Sequence, residues 1–424
     1  MKGIVCLVTS AAAASSLVGC SAEAGRSDPD APAERLVALG ATDHLGELAR
    51  EPMIVETADG GLFVAGYGED VPTLWRSGDG GGTWEPVDVG SEAAGAIGNS
   101  DVDLALGPDG ALYFVTMSFD RQAFEGTGIS VGSSRDGGES WTWTSLSRDR
   151  FDDRPWIEVA PDGVAHVIWN DGSGVNHAVS SDRGLTWSEK PRVHALGGSS
   201  HLAIGPDGAM AVRITPLSAS GNRYDPGTDH VAVSIDGGES WMLRDLPGTR
   251  SWNQSFDPRQ GVLRWVEPLA WDGAGALYSL SSEGDTLWLA RSPDQGATWR
   301  RWPLVVGADM LYFPYLVARG DGELAATWFE GVGDALRANL AVARVDRAGD
   351  APPRVTRADA FTFPAFDQGD EGAPPTRDTA GEYLPILFLR DGRLAVVSSI
   401  QDPTEDRWGF TFRPYRIEGV EPGS

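Results

Sequence analysis

An eight-residue pattern, Ser-x-Asp-x-Gly-x-Thr/Ser-Trp, occurs five times along the chain, at residues 77–84, 134–141, 180–187, 234–241 and 292–299. Five copies of a five-point pattern do not arise by chance, so the fold must be an array of similar units. Each copy follows a short β-type run such as Val231-Ala232-Val233-Ser234. The chemistry is that of a turn between strands. Ser and Asp side chains accept backbone N–H groups, Gly takes a positive φ, and Trp covers the turn from its apolar side. Asp79, Asp136, Asp182, Asp236 and Asp294 are therefore read as structural.

A second repeat counts the units. It is an apolar run, an Asp-Gly turn and another apolar run, centred on residues 59–60, 109–110, 162–163, 207–208, 272–273, 321–322 and 391–392. Such pairs read as β-hairpins. There are seven, and the first five are each followed by the eight-residue pattern; residues 342–350 look like a worn sixth copy. Seven units over residues 46–420 give about 53 residues each, whereas six would need about 62, and propeller blades run to roughly 40–50. The expected fold is all-β: a single β-propeller with seven rather than six four-stranded antiparallel blades. The extra length falls in 216–230, 246–260 and 349–381, which are rich in Gly, Pro and Asp and read as loops. No long segment has helical periodicity. Closing the ring needs pairing between the two chain ends, and residues 408–417 make a suitable terminal strand.

The five-fold pattern resembles the Asp-box, or BNR, repeat of sialidases and related β-propellers. In that family the box joins the third and fourth strands of a blade, at its periphery. The resemblance covers most of the chain and implies the fold directly. It implies activity only where the family's working residues recur. Ala49-Arg50-Glu51-Pro52 keeps the Arg and Pro of the family's aromatic-Arg-Ile-Pro motif. Asp70 stands where an acid/base is expected, Tyr383 eight residues before Asp391 where the nucleophile is expected, and Glu267 where its base partner is expected. A Glu beside a Tyr can take the phenolic proton and make a weak nucleophile competent. The family also holds its substrate carboxylate with three Arg, whose planar forks match a carboxylate. Here the strand after Glu267, residues 276–280, carries none.

Composition narrows the function. The chain has 61 acidic and 34 basic residues, a formal net charge of −27, which argues against nucleic-acid binding. Only Lys2 and Lys190 are lysines and neither follows a Gly-rich run, so no phosphate-binding loop of the Walker type is present. The string Gly128-Ile129-Ser130-Val131-Gly132 sits in a strand rather than at a strand-to-helix elbow, so Ser130 is not read as a nucleophile.

The N-terminus reads as an address. Met1-Lys2 is followed by an apolar run over residues 4–14, too short to span a bilayer, and then by Leu17-Val18-Gly19-Cys20. The last four residues resemble the bacterial lipobox, in which the Cys is lipidated and becomes the first mature residue. Residues 1–19 are thus a lipoprotein signal peptide, 20–45 the lipidated Cys20 with a flexible tether, and 46–420 the propeller. Cys6 and Cys20 are the only cysteines, so the mature chain has no disulfide. The expected location is the bacterial cell envelope, exported and membrane-anchored through the lipid alone.

Propellers place ligands at one mouth of the central channel, where the first strand of each blade starts. The residues there are Arg50 and Glu51, Asp101 and Asp103, Asp153, Arg154 and Trp156, His201, Glu267, Tyr312 and Phe313, and Glu382 and Tyr383. A ring of carboxylates suits Ca²⁺ or a polyhydroxylated ligand; no other cofactor is expected. Trp156, Tyr312 and Phe313, taken as exposed, would stack on a sugar face or cap the channel. The expected role is a monomeric surface recognition module with a carbohydrate or envelope-protein ligand at the mouth. The alternatives are an exo-glycosidase, specifically a divergent sialidase using Arg50, Asp70, Glu267 and Tyr383, and an envelope assembly scaffold.

Overall fold

The computed structural model describes residues 33–47, 49–68, 72–196, 198–217, 228–248, 267–308, 311–332, 335–359, 361–363, 382–402 and 407–419. Among them are thirty strands and one 3₁₀ turn, Glu92–Ala94. No helix there is long and apolar enough to cross a membrane. The strands form seven antiparallel sheets arranged as blades. The first strands of the blades are Arg50–Glu56, Ser100–Leu106, Asp153–Val159, Ser199–Ile204, Leu269–Trp271, Leu311–Arg319 and Ile386–Phe388. In each blade the second strand returns from the Asp-bearing hairpin, and the third leads to the next turn outward. The count of seven holds.

The repeated eight-residue turn joins third to fourth strand in each of the first five blades, and its chemistry is the expected one. In the first copy Ser77 Oγ accepts the Gly81 N–H at 2.9 Å and donates to Asp79 at 2.8 Å. Asp79 accepts the Thr83 N–H at 2.9 Å and the Thr83 hydroxyl at 2.8 Å. Hydrogen bonds from Thr83 and then Ser77 hold the Asp79 carboxyl down to about 2. The other four copies repeat this set around Asp136, Asp182, Asp236 and Asp294.

Two loops differ from expectation. Within 349–381, Arg354–Arg357 is the fourth strand of the sixth blade and Phe361–Phe363 adds to its third strand. At the fifth hairpin the left-handed residue is Gly275 (φ +84), not Gly273. Asp272 is instead buried, accepting from Tyr278 at 3.0 Å and from the Gly322 N–H of the next blade at 3.0 Å. Sequence patterns give turn chemistry; they do not show a neighbouring blade competing for the same carboxylate.

Ring closure corrects the expected tether boundary. The third strand of the last blade, Arg407–Glu418, pairs on its outer side with Arg35–Ala38 and Thr42–Leu45. Residues 35–45, read as tether, are therefore part of the propeller. Their short alternating runs are too brief to read as strands, and the long partner strand supplies their order. At this seam Trp75, Trp84, Phe410 and Phe412 pack with ring centroids 5.1–5.5 Å apart. Such aromatic burial supplies the area that holds adjacent blades together. His166 and His177 are packed between blades, sharing a 3.0 Å hydrogen bond.

Candidate functional site at the channel mouth

The first strands of the first, third and sixth blades carry Pro52, Pro155 and Pro314 within their opening residues. Proline has no N–H to give the ladder, so regular pairing breaks there. The pairing register skips at each of these points, and also in the second and fourth blades. In four blades the skipped residue is left-handed although not glycine: Glu51 (φ 47), Arg154 (φ 46), His201 (φ 87) and Phe313 (φ 50). Such a conformation costs on the order of 1–3 kcal/mol per residue and is characteristic of functional sites. These bulges turn side chains that would alternate across a regular strand into the mouth.

The mouth gathers residues from four blades. Tyr383, 2% exposed, donates its hydroxyl to Asp101 Oδ1 at 3.0 Å. Arg154 donates to Asp153 at 2.9 Å and to Glu382 at 3.1 Å. The Glu382 N–H donates to Glu51 Oε1 at 3.0 Å. Arg50 lies over Trp408 at 5.4 Å, with no ion pair among the described residues. Burial raises the Glu51 carboxyl well above its ordinary range, and Asp101 and Glu382 add to this. Burial, with help from Asp153 and against Arg154, lifts Asp101 to about 6. Burial first, then Asp101 and Glu51, raises the Tyr383 phenol, which is therefore a neutral donor.

Below this cluster lies an aromatic wall. His201 stacks on Trp156 with centroids 4.1 Å apart, and Tyr315 meets the His201 ring edge-on at 5.2 Å. Trp156 meets Tyr383 edge-on at 5.3 Å. Burial holds His201 neutral, its pKa lowered to about 3. Deeper in the channel, Asp103 accepts the Ile157 N–H of the next blade at 2.9 Å. Burial, against this bond, raises Asp103 to about 7. Desolvation within the channel and then Asp103 raise the Glu158 carboxyl as well, against a hydrogen bond from the Val159 N–H.

The structure thus brings Glu51, Asp101, Asp153, Arg154, Trp156, Glu382 and Tyr383 together, with His201 and Asp103 beneath. Two expectations change. Trp156 and Phe313 are each only 3% exposed, so they wall the channel and offer no open sugar-stacking face. Glu267 is not the partner of Tyr383. It forms a buried cluster with Arg213, which also donates to Asp229 at 2.8 Å and to Ser279 at 2.9 Å; the Ser282 N–H donates to Glu267 at 2.7 Å. Among the described residues no group of three or more His, Cys, Asp or Glu is arranged to hold a metal ion. Asp70 and Cys20 lie outside the described residues, and the Tyr312 side chain is not described.

Three residues of the site were not anticipated. Tyr67 is paired opposite Arg50, and burial, Glu51 and Asp101 raise its phenol. Glu158 and Tyr315 line the channel below. Hairpin register points to Tyr67, since the end of a second strand faces the start of the first. The other two needed the channel-facing side of each first strand, which the bulges shift by one residue.

No family model matches the chain, and no curated protein matches it. Solved structures of similar fold include glycosidases, sialidases and lyases. An ulvan lyase of polysaccharide lyase family PL25, bound to -[GlcA(1-4)Rha3S]-, superposes with a TM-score of 0.51 at 10% identity, covering 88% of this chain and 95% of that one. An α-L-arabinanase from Penicillium chrysogenum gives 0.49 at 14% identity, over 90% and 98%. A sialidase from Trypanosoma rangeli gives 0.42 at 17% identity, over 68% and 52%. At these identities the likeness is one of fold, and propellers serve many functions.

Proposed function

We propose that this chain is an exported, lipid-anchored Asp-box propeller whose channel mouth recognises a carbohydrate. The observation that carries the reading is the mouth cluster itself. It gathers four carboxyl groups from Glu51, Asp101, Asp153 and Glu382 around a neutral tyrosine donor, and its half-buried Arg154 is already engaged by Asp153 and Glu382. Neutral donors and acceptors held rigidly suit sugar hydroxyls, and the excess of carboxyls repels a carboxylate-bearing sugar such as a sialoside. The lipobox at residues 17–20 supports export and anchoring. The five-fold turn supports membership of the Asp-box group.

A second reading is an exo-glycosidase. The Tyr383–Asp101 hydrogen bond favours it, because Asp101 then accepts the phenolic proton as Tyr383 attacks, the part first given to Glu267. One experiment separates the two. The domain beginning after Cys20 is incubated at high concentration with fluorogenic sialosides and neutral glycosides, and is also titrated with neutral oligosaccharides by calorimetry. Recognition predicts binding without turnover, with affinity lowered at least several-fold in Tyr383→Phe. Turnover abolished in Tyr383→Phe would establish the enzyme. Neither binding nor turnover would remove both.

A further inference from the structure

We infer that the channel mouth faces away from the membrane that anchors the protein, so that its ligand is met on the far side of the propeller and is not a lipid headgroup of that bilayer. The inference rests on the proposed lipid anchor at Cys20 and on where the chain joins the ring.

The two faces of the propeller are set by strand direction. First strands start at the mouth, so third strands also start there and end on the opposite face. In the last blade the third strand runs from Arg407 at the mouth to Glu418 on that opposite face. The register places Arg35 against Glu418 and Leu45 against Gly409. The chain therefore joins the ring at the opposite face, climbs the flank of the last blade, and reaches the mouth only at Arg50. Glu34 fixes this point: its carboxylate accepts from Arg344 at 2.6 Å and from Thr356 at 2.9 Å. Arg344 ends a third strand and Thr356 lies two residues into the fourth strand beside it, toward the same opposite face.

Lengths decide between orientations. Residues 21–33 separate Cys20 from Glu34. Thirteen residues fully extended reach about 45 Å; the root-mean-square span of any coil of that length is about 20 Å. From the level of Glu418 to that of Gly409 the flank of the last blade rises about 30 Å. Turning the mouth to the bilayer would require the tether to run back up that flank, consuming most of its contour and well beyond its relaxed span. With the opposite face toward the bilayer, a chain of that length reaches Cys20 without being stretched. Among the described residues, two exposed phenylalanines on the mouth rim, Phe124 at 67% and Phe151 at 53%, then meet the medium and not acyl chains.

The test uses the full-length acylated protein in vesicles whose lipids carry an energy-transfer acceptor. Once Cys6 has left with the signal peptide and Cys20 carries lipid, the chain has no other cysteine. A donor dye is placed at Gln122→Cys, in an exposed hairpin turn of the mouth rim, or at Glu239→Cys, in an exposed turn of the opposite face. The expected result is much stronger transfer from position 239 than from position 122, with position 122 unaffected by doubling acceptor density at the surface. Equal transfer, or stronger transfer from 122, overturns the orientation while leaving the anchor intact. Protein that fails to float with the vesicles, with mass spectrometry showing no acyl chain on Cys20, overturns the anchor and the orientation with it. The fold of each labelled variant is checked by its thermal midpoint against the parent.

Discussion

Tyr383 and Asp101 show what a single contact sets. The phenol is buried and neutral, and its one donor goes to a carboxyl lifted to about 6. In Tyr383→Phe the hydroxyl is lost, and Asp101, half-buried, keeps the hydrogen bond from Ser100. The expected stability loss is about 1 kcal/mol, read from denaturant midpoints. Asp101→Asn gives a sharper readout. The folded-state pKa of Asp101 is raised, so its favourable contribution is complete below the ordinary carboxyl range near 4 and is lost as pH climbs through about 6. Asparagine does not ionise. The melting temperature of the variant minus that of the parent should therefore rise between pH 4 and pH 7, by the equivalent of roughly 1–2 kcal/mol, since Asp101 is only half-buried. A flat difference across that range would mean the carboxyl is not perturbed. Both residues were legible as polar positions at strand starts. Their pairing was not, because sequence does not say which blades face each other across a channel. Glu267 misled for the same reason: Arg213, mid-strand in the preceding blade, claims it.

Elements were read more securely than contacts between them. Hairpins and outer turns follow from local chemistry, and local chemistry is what a sequence displays. The bulges at the mouth escaped, since a proline near the start of a strand reads simply as a boundary. The turn glycines allow a test that separates backbone strain from packing. Gly237 and Gly238 both have positive φ, +70 and +84. A Cβ at Gly237 would meet nothing within 4 Å, whereas one at Gly238 would strike the His177 ring of the neighbouring blade. Gly237→Ala should cost about 1 kcal/mol from conformation alone. Gly238→Ala should cost about 2–4 kcal/mol, because a packed ring must also move. Equal costs in urea unfolding would show that the blades yield to each other more easily than their packing suggests.

At the scale of the whole molecule, the property that matters is closure. Each blade leans on two neighbours, so the ring has no free flank as long as the last blade is completed. That completion comes from residues 35–38 and 42–45, four register pairs each against Arg407–Glu418. His44 adds ring contacts to Trp75 at 5.6 Å and to Phe410 at 5.2 Å, tying the seam to the first blade. The need for closure by the two chain ends was legible from the repeat count. The strands that provide it were not, because eight residues in two short runs carry little pattern of their own. A chain beginning at residue 46 should lose this seam and expose a long unpaired strand edge, a template for association. We expect its melting temperature to fall by more than about 10 °C relative to a chain beginning at residue 34, judged from the several kcal/mol that the lost pairing and aromatic burial represent. Sedimentation should show it associating where the longer chain stays monomeric. If the two truncations melted alike, the ring would be closed by other contacts, and residues 35–45 would be an appendage.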